Sequence, residues 1–290
     1  MALSPPHKFG QIIGNLLEEI IQPILQEYCD EKGLYLDFGG RKREARKTKN
    51  IIWTDAYGNE HDLDFVIEKD GSDLKTGQPL AFIECAWRRY TKHSRNKAQE
   101  IQGAILPLAE KYEKMAPFLG IVLAGEFTEG SLRQLKSRGF KILHFPYSMI
   151  IDAFAKEGID IKFDESTPDK EFSRCIDIIN GASKKVVTNV KSQLIKKNRS
   201  EIDKFVKSLT IRIGRKIDKI IIVPLYGTKI EFLSVKEAEN YIESHITGSD
   251  NLEFQRYEII VKYSNSDRIE ASFETKKRAQ EFLRFAAESL

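Results

Sequence analysis

Apolar residues recur along the chain at two periods. Over residues 9–28 they fall at Phe9, Ile12, Ile13, Leu16, Leu17, Ile20, Ile21 and Ile24. That spacing is one face of an α-helix, which Pro23 is predicted to kink or end. Gly33 closes the region, and 34–38 reads as a short strand. Residues 50–55 and 60–68 are strand-like and flank a turn at 56–59, which predicts a hairpin. Residues 81–87 form a short apolar run interrupted by Glu84. A helix is predicted over 94–114, with Ala98, Ile101, Ile105 and Leu108 inward and Pro107 inside it. A strand at 118–125, a helix at 128–138 stopped by Gly139, and a strand at 140–146 make a strand–helix–strand unit. Such units pair their strands in parallel. A further helix follows at about 147–156. The order predicts an α/β (α+β) chain with a mixed central sheet flanked by helices.

The C-terminal third repeats itself. Strands at 220–223 and 229–232 and a helix at 234–242 are followed by strands at 259–262 and 268–271 and a helix at 275–283. The offset is 39 residues, with two more inserted after Glu270. Two ββα units can join into one antiparallel sheet backed by helices.

A length of 290 residues suits about two domains, and 41% hydrophobic residues is enough to build their cores. Thr167-Pro168-Asp169 marks a boundary. The expected division is a core over 1–170, a basic helical connector over 171–215, and a duplicated ββα domain over 216–290. The three cysteines, Cys29, Cys85 and Cys175, are odd in number and form no CxxC pair. That argues against a disulfide framework or zinc site and for a reducing, cytoplasmic setting. No stretch approaches 18 uninterrupted apolar residues, so no membrane span is expected.

Charge changes the picture only when it is read locally. The formal net charge is +3, which by itself argues against a polyanion partner. Yet residues 41–49 hold six basic residues against one acid, 85–100 hold five against one, and 184–219 hold twelve against three. Residues 151–171 hold seven acids against three lysines. Segregated basic stretches point to nucleic acid.

The candidate chemistry lies between two of those stretches. Asp62 and Asp64 are two apart on a predicted strand and share a face. Glu84 stands in an otherwise apolar strand, where a carboxylate is costly unless paired or metal-bound. The two strands can lie side by side, bringing Asp64 and Glu84 to one hard cation. Oxygen ligands with water and phosphate suit Mg²⁺. No glycine-rich phosphate loop is present, which argues against a nucleotide-driven enzyme. His61 and His93 are read as structural.

At these residues the chain resembles the PD-(D/E)XK nuclease superfamily, the fold of many restriction endonucleases. The resemblance spans roughly residues 9–156 and rests on the Asp64 hairpin, the Glu84 strand, the helix after it and the closing strand–helix–strand unit. It implies a restriction-endonuclease-like core in which Asp64 and Glu84 bind Mg²⁺, with Mn²⁺ able to substitute. It also implies a lysine two residues after the second carboxylate, and here Ala86 fills that slot. Lys97 or Lys92 from the next segment can take over, since some members of the superfamily relocate a side chain to this helix; Lys97 is favoured. Glu100, three residues on, shares a helix face with Lys97 and is a candidate third ligand. Members of the fold often place a first-helix glutamate near the metals. Glu19 lies at the edge of the apolar face and is a further metal candidate, while Glu18 points away from that face.

The implied activity is that of a type II-like restriction endodeoxyribonuclease acting on double-stranded DNA. Arg41, Lys42, Arg43 and Lys47 in the first basic stretch, and Arg88, Arg89, Lys92 and Arg95 in the second, are the expected phosphate contacts. Asn198, Arg199, Arg212 and Arg215 are candidate readers of the target. The 216–290 region either contributes to reading or forms a homodimer, which paired cleavage of a symmetric site requires. Two alternatives are a non-catalytic DNA-binding protein on a decayed nuclease core, for which Ala86 speaks, and a structure-specific repair nuclease.

Overall fold

The protein is described by a computed structural model covering residues 4–46, 48–91, 94–225, 227–245 and 254–288. The first apolar face forms α1 (Pro5–Lys32), which opens on prolines and closes on Gly33 at φ +64°. Pro23 does not end it. Buried Ile20, Ile21, Leu25, Tyr28 and Cys29 flank the proline on both sides. Burying them outweighs the roughly 3 kcal/mol that an interior proline costs.

The strands that follow are β1 (Tyr35–Phe38), β2 (Ile51–Thr54), β3 (Glu60–Leu63), β4 (Phe65–Lys69), β5 (Gln78–Arg88), β6 (Phe118–Gly125) and β7 (Lys141–Pro146). Five of them make a sheet in the order β1-β4-β5-β6-β7. β1, β4 and β5 pair antiparallel, and β5, β6 and β7 pair in parallel. The sheet is therefore mixed. The run 60–68, read as one strand, is two. β3 pairs with β2 in a separate hairpin, β4 enters the central sheet, and the break falls at Asp64.

Helices α2 (Ser94–Lys111) and α3 (Glu129–Ser137) cover one face of the sheet with the hairpin. Trp53, Val66, Phe82, Ala86, Ile101 and Leu135 meet there in one buried cluster. The other face packs against α1 and α4 (Tyr147–Ala155).

The expected connector forms α5 (Asp169–Gly181), α6 (Lys184–Lys197) and α7 (Arg199–Ile213). As far as Leu209 it is part of the first unit. Phe172 of α5 stacks edge-on against Phe9 at 5.8 Å, and Phe205 of α7 meets Phe118 at 5.4 Å. The basic residues occupy the outer faces of these helices, while an apolar stripe with Val190, Leu194 and Leu209 is buried. The chain accordingly divides into Met1–Leu209 and Thr210–Leu290, not near residue 170.

The second unit contains the two ββα repeats: β8 (Ile217–Pro224), β9 (Ile230–Phe232) and α8 (Val235–Ser244), then β10 (Tyr257–Tyr263), β11 (Arg268–Phe273) and α9 (Lys276–Glu288). Its sheet runs β11-β10-β8-β9 and is antiparallel throughout. Ile220 pairs with Val261 and Ile222 with Ile259, so the repeats meet about a local two-fold axis. Ala238 and Ile242 of α8, with Ala279 and Leu283 of α9, cover one side of this sheet. Among the described residues no helix is long and apolar enough to cross a membrane.

Candidate active site

The site is built where β5 outruns its neighbour. β4 accompanies β5 only as far as the Phe65–Ile83 pair, whereas β6 continues alongside it to Arg88. The chain turns out of the sheet at Asp64, one step past that last pair. Asp64 then takes over the vacated edge: its Oδ2 accepts the Cys85 backbone N–H at 2.6 Å. Glu84 lies beside it. Phe82 and Ala86 join the cluster facing α2, so by strand alternation Glu84 shares that face. Cys85 and Trp87 point the other way, where Trp87 meets Phe9 of α1 at 6.3 Å. Cys85 is thus half-buried at a cleft.

The two carboxyl groups hold each other in an uncomfortable state. Burial raises the Glu84 pKa well above the ordinary range, and the neighbouring Asp64 charge adds to it. Burial also raises Asp64, against the opposing pull of the Cys85 N–H and the Lys97 ammonium. Glu84 Oε1 is buried with no hydrogen-bond partner among the described residues. Lys97, in the first turn of α2, stabilises the charged form of both carboxyl groups. Asp64 at the β3–β4 break, Glu84 of β5 and Lys97 of α2 thus lie within electrostatic reach of one another.

Two expected ligands do not join them. The Glu100 side chain is 60% exposed and bonds to Lys97, with Arg88 at 3.5 Å. It neutralises cations at the rim. Glu19 pairs instead with Lys191 at 3.1 Å. The first-helix glutamate near the pair is Glu18, whose pKa is pushed up to about 7 by burial, then by Asp64 and Glu19. The helical pattern set Glu18 aside because it lies off the apolar stripe. That stripe marks contact with the sheet, and Glu18 stands at the polar seam beside it.

Ala86 is 4% exposed and packed in the cluster with Ala98 and Ile101. The slot of the missing lysine is filled by core.

Beside the carboxylates runs a cleft of about 330 Å³, lined by His7, Gln11 and Gly14 of α1, by the end of β5 with Arg88 and Arg89, and by Lys97. The other expected DNA contacts divide. Lys42 and Arg95 are exposed. Arg41 stacks on the Phe38 ring at 4.5 Å and pairs with Asp73. Arg199 is exposed and pairs with Asp203. Lys47, Lys92 and His93 lie outside the described residues.

Two arginines are buried, Arg43 and Arg215, which corrects their reading as phosphate or base contacts, whereas the Arg212 side chain stays 32% exposed. Arg43 is 4% exposed and binds Asp37 at 2.7 Å and both oxygens of Glu68. Arg215 is buried over the Tyr263 ring at 4.4 Å. Arg212 pairs with Asp267, which also lies 3.3 Å from Arg215. Asn198 is likewise buried, donating to the His144 carbonyl. His61 sits 3.0 Å from Asp55 within the hairpin, a structural role.

Among the described residues no three His, Cys, Asp or Glu side chains converge to hold a metal by themselves. Mg²⁺ asks for less: one or two carboxylates, with water and substrate phosphate completing the shell. The Asp64–Glu84 pair, with an orphaned buried oxygen and both pKa values raised, fits that requirement.

No protein-family model matches the chain, and no curated protein matches it. Among solved structures, a protein of unknown function, AF1548, aligns over 67% of this chain and 98% of its own, with 15% identity and a TM-score of 0.29. Similarity at that level carries no argument about fold or function.

Proposed function

We propose that the chain is a Mg²⁺-dependent endonuclease acting on double-stranded DNA, of the restriction type, on a PD-(D/E)XK-like core. The observation that carries this reading is the convergence of Asp64, Glu84 and Lys97 at the open edge of β5, beside a cleft lined by Arg88 and Arg89. Asp64 is oriented by the Cys85 N–H, and Glu84 keeps a free oxygen for a ligand. Bound there, Mg²⁺ supplies a water of lowered pKa and neutralises charge on the phosphate. Lys97 stands in for the missing motif lysine: it favours the charged form of both carboxyl groups against the effect of burial and offers a positive charge to the attacked phosphate. Arg88 and Arg89 bind flanking phosphates. Glu18 adds a third carboxyl group beside the pair.

The direct test is supercoiled plasmid incubated with Mg²⁺ or Mn²⁺, with EDTA as control. The wild type is expected to cut only with metal. Asp64→Asn and Glu84→Gln are expected to lose at least about 100-fold in rate, and Lys97→Ala about 100-fold. Undiminished cutting by the carboxylate variants refutes the reading.

One observation favours a second reading, a DNA-binding protein without cleavage. Ala86 is buried in core and Lys97 is engaged by Glu100. DNA binding that persists in EDTA, with no product in any metal, selects it.

A further inference from the structure

One wall of the cleft is left unused by this scheme. It is the first half of α1, which presents His7, Gln11 and Gly14 on one helix face. Across from it stand Arg88, Arg89 and Lys97; no carboxylate lines the cleft among the described residues, and Glu100, which pairs with Arg88 and Lys97, is 60% exposed at its rim. The cavity is thus suited to a polyanion.

Gly14 needs a separate reason. Glycine inside a helix is a standing cost to stability. Gly10, one turn earlier, is explained by packing, since a Cβ there would stand 3.3 Å from the Trp87 ring. A Cβ on Gly14 would meet nothing within 4 Å. Gly103 of α2 is equally open, but it is exposed. Gly14 is half-buried, and the space left by its missing side chain opens into the cleft. The protein's own packing does not use that space.

We propose that the His7–Gln11–Gly14 face of α1 is the wall against which the sugar–phosphate backbone of the bound DNA strand lies, and that Gly14 lets the strand approach the helix backbone. The inference rests on the nuclease reading above. Arg88, Arg89 and Lys97 take phosphates from one side. His7 and Gln11 supply hydrogen bonds to phosphate and sugar oxygens from the other. A side chain at position 14 would occupy the channel between them.

The experiment compares wild type, Gly14→Ala, Gly14→Leu and the control Gly103→Ala. Three quantities are read: Tm, the Kd for a fluorescein-labelled 30-base-pair duplex in EDTA, and kcat and KM for plasmid nicking in Mg²⁺. Gly14→Ala and Gly103→Ala are each expected to raise Tm by about 2 °C, as helix glycine-to-alanine changes do. Gly14→Ala is expected to weaken Kd and raise KM several-fold, and Gly14→Leu more than tenfold, while Gly103→Ala changes neither. A lowered Tm for Gly14→Ala overturns the proposal, because it means the protein itself fills the gap. Unchanged Kd and KM in both Gly14 variants overturn it while leaving the nuclease reading intact. A wild type that neither binds nor nicks DNA overturns both.

Discussion

Glu84 is the residue at which stability and function pull apart. A carboxylate held above its ordinary pKa by burial and by Asp64 destabilises the metal-free protein. Glu84→Gln is therefore expected to raise Tm in EDTA while abolishing metal-dependent cutting. Mg²⁺ at about 100 times its Kd is expected to stabilise the wild type by about 2.7 kcal/mol. Calorimetry should show that gain disappear in Asp64→Asn and Glu84→Gln. Glu18 adds a pH dependence. Its folded pKa is about 7 against an ordinary 4.5, so the folded state keeps a proton that the unfolded state releases. Stability without metal should then fall as pH rises from about 4.5 to about 7, and Glu18→Gln should flatten that decline. Allowing for solvent in the cleft, the effect is on the order of 1 kcal/mol, read by urea unfolding in EDTA at pH 5 and pH 8. Asp64 and Glu84 were legible in sequence because a carboxylate in an apolar strand is an anomaly. Glu18 was not, because its environment is made by burial in the fold and then by Asp64, 46 positions away.

At the scale of elements, the site depends on β4 stopping short of β5. Apolar and polar residues follow one another across 60–68 as if in a single strand, so sequence gives no sign of the break. The break arises because Leu63 and Trp53 of the hairpin are drawn into the cluster against α2, while Phe65 pairs with Ile83 in the sheet. The loop beside β1 shows the same limit. Arg43 sits within a basic run, yet it bridges Asp37 and Glu68 and also bonds the Ser72 and Lys75 carbonyls. Arg43→Ala leaves the buried Glu68 without a cation, while Asp37 keeps Arg46 at 3.2 Å, and is expected to cost about 3 kcal/mol, measurable by chemical denaturation. Lys42→Ala, one residue away and exposed, should leave stability unchanged and reduce the salt dependence of DNA binding by about one counterion. Reversed outcomes for the two variants would return Arg43 to the DNA surface.

For the whole molecule, everything assigned to chemistry lies in the first unit, which includes α5, α6 and α7 as far as Leu209. A chain ending at Gly214, just past α7, is therefore expected to fold and to keep its Mg²⁺-dependent rise in Tm. Aggregation of that fragment, or loss of the metal response, would make the second unit part of the site. The sequence by itself determined the mixed α/β class, most of the helices and strands, the ββα duplication and the anomaly of Glu84 in an apolar strand. Those properties are local: periodicity, turn residues and a misplaced charge are each written within a few residues. Tertiary structure alone decided that Arg43 and Arg215 are buried, that Glu18 rather than Glu19 lies near Asp64, and that the chain through α5, α6 and most of α7 joins the first unit. Each of those outcomes depends on which distant residue arrives to bury or pair a side chain, and long-range partners leave no periodic trace in the chain.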